Sequence, residues 1–251
     1  MTERTVCVAP QFLADVDRQP ASCVPEGALY WDVDTWKGGQ PALAPAPLSS
    51  FTALDCLIRE LTRAVWPPGS GGAGRQSRDR VVVIVGNSAG GQFVNRYAIV
   101  GREPDALASD GISVRFVIAN PSSYLYFSPE RPVNIGGVAS VNHWRYGFDD
   151  PPAYVDMESQ QYLERYLRRD VTMVLGAEDR DPAALLLEIH PPAMAQGPNR
   201  LERGVFYHDH VQKMAQRAGL PVQHRFVTLP GVGHDAGAVL ADQQVLGIVF
   251  A

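Results

Sequence analysis

The sequence predicts an α/β fold: a doubly wound, mostly parallel sheet flanked by helices. Three observations predict it. Five short apolar runs have the β-branched composition of strands buried on both faces. Segments with helical periodicity lie between them, and that alternation gives a parallel sheet. One run ends in a glycine-rich turn that passes straight into a helix.

In chain order the strands are residues 5–9 (TVCVA), 80–85 (RVVVIV), 114–119 (VRFVIA), 171–175 (VTMVL) and 224–229 (HRFVTL). Ser50 is placed to cap a helix running to about Val65, with Phe51, Leu54, Ile58 and Leu61 on one face. A second helix starts just after Ser88 and runs through Tyr97. Residues 158–169 form a third, charged on its outer face, and 207–218 a fourth, closed by Gly219 and then Pro221. Residues 236–250 supply the last. Stretches 11–47, 120–154 and 181–203 break the alternation, and each follows an expected strand end, where sites in open α/β sheets lie. Residues 67–74 (PPGSGGAG) precede a strand and read as a surface connection. Residues 1–251 are read as one domain, with a cap-like aromatic insertion around 120–157.

Composition narrows the function classes. The formal net charge is −5 and there is no basic block, so neither nucleic acid nor a membrane surface is an expected partner. No apolar stretch is long enough to span a bilayer, and the N-terminus shows no leader. Three widely spaced cysteines, Cys7, Cys23 and Cys56, suggest neither a disulfide framework nor a zinc ribbon. A cytoplasmic protein with reduced thiols is expected.

The chemistry concentrates after the second strand. Gly86-Asn87-Ser88-Ala89-Gly90 matches G-x-S-x-G between a buried strand and a helix. A sharp turn there holds Ser88 in a strained conformation and exposes its hydroxyl. The flanking glycines let strand and helix approach. The free N–H groups of the new helix converge on the same spot, and Ala89 N–H is a natural oxyanion donor. No lysine follows the serine, so a phosphate loop of the Walker type is not supported.

A serine hydroxyl needs a base, and the base needs an orienting carboxylate. Of six histidines, His234 is best placed, in Gly231-Val232-Gly233-His234 directly after the last strand. His224 alternates with Phe226 along that strand and reads as structural. His208 and His210 are too close in sequence to share a helix face, so a metal pair is not expected and a surface helix start is. His143 and His190 lie in loops that can line a pocket. Carboxylates cluster where the fourth strand ends: Asp179 is the first choice as acid, Asp181 the second and Glu178 the third, and Asp181 before Pro182 also reads as a turn opener. No metal or cofactor is required.

Ser88, Asp179 and His234 stand in the order and contexts of α/β-hydrolases, and the chain resembles that superfamily. More narrowly, it is similar to a little-characterised group of esterase-like and polyester-depolymerase-like members. The likeness rests on Val8-Ala9-Pro10-Gln11-Phe12, Trp36-Lys37-Gly38-Gly39, the run from Gly86 to Tyr97, Asn120-Pro121-Ser122-Ser123-Tyr124, Trp144-Arg145-Tyr146-Gly147 and the His234 segment. It implies generic hydrolase activity without naming a substrate. Relatives of this kind carry a further N-terminal portion whose His-Gly-type loop gives a second oxyanion N–H. Here an abbreviated N-terminus is expected, with the second donor supplied near Gln11 or Phe12. An exposed sheet edge then favours a homodimer.

The aromatic insertion holds Tyr124, Tyr126, Phe127, His143, Trp144, Tyr146, Phe148 and Tyr154. Two readings stand side by side: an aromatic cleft for the substrate, or a hydrophobic cluster pinning a long loop. Under the first, Asn87, Tyr124, Trp144 and Tyr146 contact the ligand. The expected activity is hydrolysis of a small carboxylic ester or thioester through an acyl-enzyme. The alternatives are triad-dependent acyl transfer or lactonisation, or a non-catalytic binding protein on the same fold.

Overall fold

Valine and isoleucine fill Val81–Asn87, and their branched side chains favour a pleated, packed strand. In the computed structural model, which describes residues 5–18, 24–67, 80–136 and 141–250, this strand is β3. It begins a parallel sheet in the order β3-β4-β5-β6, with β4 at Ser113–Ala119, β5 at Asp170–Gly176 and β6 at Arg225–Leu229. Register runs Asn87 to Ala119, Ala119 to Val174 and Gly176 to Leu229, so the carboxyl ends align at one edge. Earlier in the chain, β1 (Leu13–Ala14) and β2 (Tyr30–Trp31) form a separate two-residue parallel pair.

Successive strand residues face opposite sides, and the core divides accordingly. Phe116, Ile118, Val171 and Met173 join one cluster with Phe51, Phe93, Tyr97, Tyr162 and Tyr207. Those partners come from α1 (Ser50–Val65), α2 (Ala89–Val100), α4 (Ser159–Leu167) and α6 (Arg200–Ala218). Short α3 (Glu103–Ser109) and α5 (Pro191–Met194) fill the connections. On the other face Val117, Ala119, Val174 and Val227 meet Val239 and Val245, from α7 (Ala236–Ala241) and α8 (Gln243–Val249). The predicted parallel sheet flanked by helices is therefore observed, although its four described strands advance in one direction without a reversal of order.

Several elements differ from the sequence expectation. Residues 5–9 form no strand; they run without regular pairing, and Val6 and Val8 are exposed. Propensity alone makes no strand where no described neighbour offers a ladder. Helix α1 starts where expected, but Ser49 is the cap, accepting from Phe51 N at 3.2 Å, while Ser50 is buried and donates to Trp36 O at 2.6 Å. Helix α4 is bounded by a capping box between Glu158 and Gln161. Helix α6 begins at Arg200, seven residues before the expected 207, capped by Asn199 on Glu202 N. Its first turn falls in the irregular stretch 181–203, and Gly204, just after it, is needed for packing: a Cβ there would come within 2.4 Å of Leu175 on β5. The expected helix over 236–250 is two helices, because Asp242 turns extended and caps α8 through Gln244 N.

The aromatic insertion belongs largely to the core. Tyr124 stacks on Tyr207 at 4.5 Å between ring centroids, and Tyr126, Phe127 and Tyr154 are buried with it. For these residues the pinned-loop reading holds. Cys7 and Cys56 are free and exposed; Cys23 and residues 68–74 of the glycine-rich connection lie outside the described residues. No described helix is long and apolar enough to cross a membrane.

Candidate active site

Ser88 has φ 56° and ψ −117°, a left-handed backbone that a β-carbon disfavours. The turn is held by close packing. A Cβ on Gly86 would lie 2.3 Å from Gly90 O, and one on Gly91 would lie 2.4 Å from Ala119 O. Gly90 itself has open space around it, so Gly86 and Gly91 are the two glycines that bring strand and helix together. Ser88 N donates to Ala119 O at 2.9 Å, tying the turn to β4. Asn120, at φ 43°, continues the clamp: its amide donates to Asn87 Oδ1 at 3.3 Å, and its Oδ1 accepts from Gly176 N at 2.8 Å.

The other two members arrive from β5 and β6. Gly176 ends β5 without a side chain, and a Cβ there would lie 2.5 Å from Val232 O. The loop after β6 turns at Gly231, φ 72°, and Glu178 N donates to Val232 O at 2.9 Å. This packing brings Asp179 under His234. His234 Nδ1 is 2.7 Å from Asp179 Oδ2, and His234 Nε2 is 2.9 Å from Ser88 Oγ. Asp179 is 4% exposed, whereas the imidazole remains open to solvent on one side. With Nδ1 donating to the carboxylate, the Nε2 lone pair faces the serine proton.

Asp179 is gripped from behind. Arg200, fully buried at the start of α6, places Nη1 3.4 Å from Asp179 Oδ1 and donates from Nε to Ser122 Oγ at 2.9 Å. Leu201 N donates to Asp179 O at 3.1 Å. Glu178 and Asp181 take no part: both are exposed, and Asp181 accepts from Ala183 N in a local turn.

Beside the first turns of α2 lies a buried polar network that sequence reading missed. Ser123 Oγ is 2.8 Å from both Gln92 Oε1 and Glu188 Oε2 and accepts from Arg96 Nη2 at 2.9 Å. Arg145 donates to Glu188 Oε1 at 2.6 Å, and Tyr146 donates its hydroxyl proton to the same oxygen. Burial works against ionisation of Glu188, but Arg145 and the Tyr146 hydrogen bond outweigh it and hold the carboxyl down to about 2. Arg96 and Arg203 are fully buried with main-chain, hydroxyl or sulfur partners, and burial brings both down to about 10. Nothing local marks these arginines; charged residues at helical spacing read as a solvated face.

The remaining expected contacts sort by burial. Asn87 is half-buried at the turn. Trp144 is half-buried and donates to Gly38 O at 2.6 Å, and Tyr146 is spent on Glu188. Tyr124 is 0% exposed and is withdrawn as a ligand contact. Gln11 is exposed, and Phe12 packs on Trp36 and on Phe93 of α2, at 5.6 and 4.8 Å between ring centroids. Phe12 therefore sits beside the helix that Ser88 opens.

The other histidines have separate tasks. His210 is not at a surface helix start: it is buried mid-helix, accepts from Phe127 N at 3.1 Å, and burial drives it down to about 3. His224 precedes β6, bonds Tyr166 O at 2.9 Å, and is pushed down to about 4 by burial. His143 pairs with Asp150, and His190 stands 3.5 Å from Glu188. Among the described residues no His, Cys, Asp or Glu group is arranged to hold a metal ion.

No family model matches the chain, and no curated protein does. Solved structures do. Poly(aspartic acid) hydrolase-1 from Sphingomonas sp. KT-1 is 26% identical with a TM-score of 0.58, over 83% of this chain and 66% of that one. LpqC, a poly(3-hydroxybutyrate) depolymerase from Bordetella parapertussis, is also 26% identical with a TM-score of 0.58, over 82% of this chain and 60% of that one. The chain thus spans less than two thirds of the length of the structures it matches. These neighbours are esterase- and depolymerase-like α/β-hydrolases, in keeping with the resemblance read from the motifs.

Proposed function

We propose that the chain is a serine hydrolase of carboxylic esters or thioesters. The observation that carries this reading is the unbroken line from Ser88 Oγ through His234 to Asp179, at 2.9 and 2.7 Å. Ser88 Oγ attacks the acyl carbon while its proton passes to His234 Nε2. Asp179 keeps the imidazole oriented and stabilises the imidazolium. The oxyanion faces Ala89 N–H, with a second main-chain donor at Gln11 or Phe12. Collapse breaks the acyl–oxygen or acyl–sulfur bond, and His234 returns its proton to the departing alcohol or thiol. Water then repeats the sequence against the acyl-enzyme and frees the acid.

The two neighbours support the reaction class. One is named for poly(aspartic acid) hydrolysis and one for poly(3-hydroxybutyrate) depolymerisation, and both reactions cleave an acyl carbon from its leaving heteroatom. The test is intact mass after exposure to a fluorophosphonate, with Ser88→Ala beside it. A single adduct, absent from the variant, is expected. No adduct on folded protein would sink the reading.

A further inference from the structure

Among the described residues, the three most exposed large apolar side chains all lie in one five-residue stretch. Leu185 is 86% exposed, Leu186 83% and Ile189 73%. Between them Leu187 and Glu188 point inward, at 6% and 9%. The stretch follows the β5 turn that bears Asp179, and it is fastened at both ends. Leu185 O accepts from Arg200 Nη2 at 3.3 Å, and the same guanidinium holds Asp179. Glu188 is locked to Ser123, Arg145 and Tyr146, and Ser123 also lies against Gln92 in the first turns of α2. The segment is therefore a strap running from the carboxylate that orients His234 to the helix that Ser88 opens.

Its geometry is costly for a surface loop. Leu186 has φ 60°, a conformation that costs a residue with a β-carbon on the order of 1–2 kcal/mol. The strap spends that energy to hold a leucine in water, where burying it would return about 1.5–3 kcal/mol. Its one carboxylate is neutralised beneath the surface by Arg145. An apolar, charge-compensated strip fixed beside a serine site suits a flexible hydrocarbon group.

We propose that Leu185, Leu186 and Ile189 form the subsite for an aliphatic acyl chain, making medium-chain acyl esters the preferred substrate class. This rests on Ser88 being the nucleophile. Each fully buried methylene favours binding by about 0.8 kcal/mol, roughly fourfold. Covering about two methylenes' worth of a longer chain is therefore enough for a tenfold preference.

The test measures kcat/KM for 4-nitrophenyl acetate, butyrate and octanoate, with wild type and a Leu185→Ser, Leu186→Asn, Ile189→Ser triple variant. All three side chains are exposed, and Asn tolerates the left-handed position. Wild type is expected to favour octanoate over acetate at least tenfold. The variant is expected to lose that preference while keeping acetate hydrolysis within twofold. Acetate turnover with a flat chain-length profile in wild type would overturn the strap proposal and leave the Ser88 reading standing. So would a variant that keeps the full octanoate preference, or one that changes only the oligomeric mass seen by light scattering. Absence of any Ser88-dependent turnover would overturn both.

Discussion

Asp179 has two carboxylate oxygens, and each has its own partner: His234 on Oδ2 and Arg200 on Oδ1. Removing one partner of a buried ion pair leaves the other charge uncompensated, which costs about 3–5 kcal/mol. Arg200→Met should therefore lower the thermal midpoint strongly, read in a melting curve, with Arg200→Lys falling between it and wild type. Asp179→Asn strands the same buried guanidinium, so it should also lower the thermal midpoint, and in the folded protein it should reduce kcat on the order of 10⁴-fold, because the amide no longer selects the right imidazole tautomer. Steady-state kinetics against an activated ester would check this. Ser88, His234 and Asp179 were legible because each sits in a short segment whose neighbours announce a turn or a strand end. Arg200, Ser122 and Glu188 were not, because their importance lies in partners far off in the chain, 78 positions apart for Arg200 and Ser122. A buried arginine and a solvent-facing one look alike in one dimension.

At the scale of elements, the turn between β3 and α2 makes a sharp distinction between glycines that the motif treats alike. Gly86→Ala would drive a methyl group into Gly90 O, a main-chain atom that cannot swing aside. It should abolish folding or the Ser88 adduct. Gly90→Ala meets nothing within 4 Å and lies in the first turn of α2, so it should stabilise by about 0.5–1 kcal/mol. Urea denaturation of both variants separates the cases. The four sheet strands could be read from composition because interior strands are apolar on both faces. Residues 5–9 share that composition without forming a strand, since pairing is decided by neighbours. The first turn of α6 was missed because Gly197 and Pro198 stand directly before it, and a Gly-Pro pair reads as loop whether or not a helix follows.

For the molecule as a whole, acid is the weakness. His210 is neutral when folded, with its pKa brought down to about 3, but takes a proton near 6.5 when unfolded. The unfolded chain thus binds more protons, and stability falls as pH drops from about 6.5 toward 3, by up to about 1.4 kcal/mol per pH unit from this residue. His224 pulls the same way down to about 4, and Glu188 adds its loss between about 4.5 and 2. Denaturation midpoints at pH 7 and pH 5 should differ less in His210→Gln, whose amide oxygen can still accept from Phe127 N, than in wild type. The two margins of the sheet differ as well. On β6, Arg225 and Thr228 face water, and Arg225 pairs with Asp170. On β3, Val81, Val82, Val83, Ile84 and Val85 are all half-exposed, and no described residue pairs with the outer edge. Among the described residues, one margin is guarded by charge and the other is an uncharged template of the kind an extended chain can join. For anyone handling the purified protein, shelf life becomes a matter of concentration rather than temperature: stocks should cloud first where they are strongest, and Val81→Lys should keep them clear.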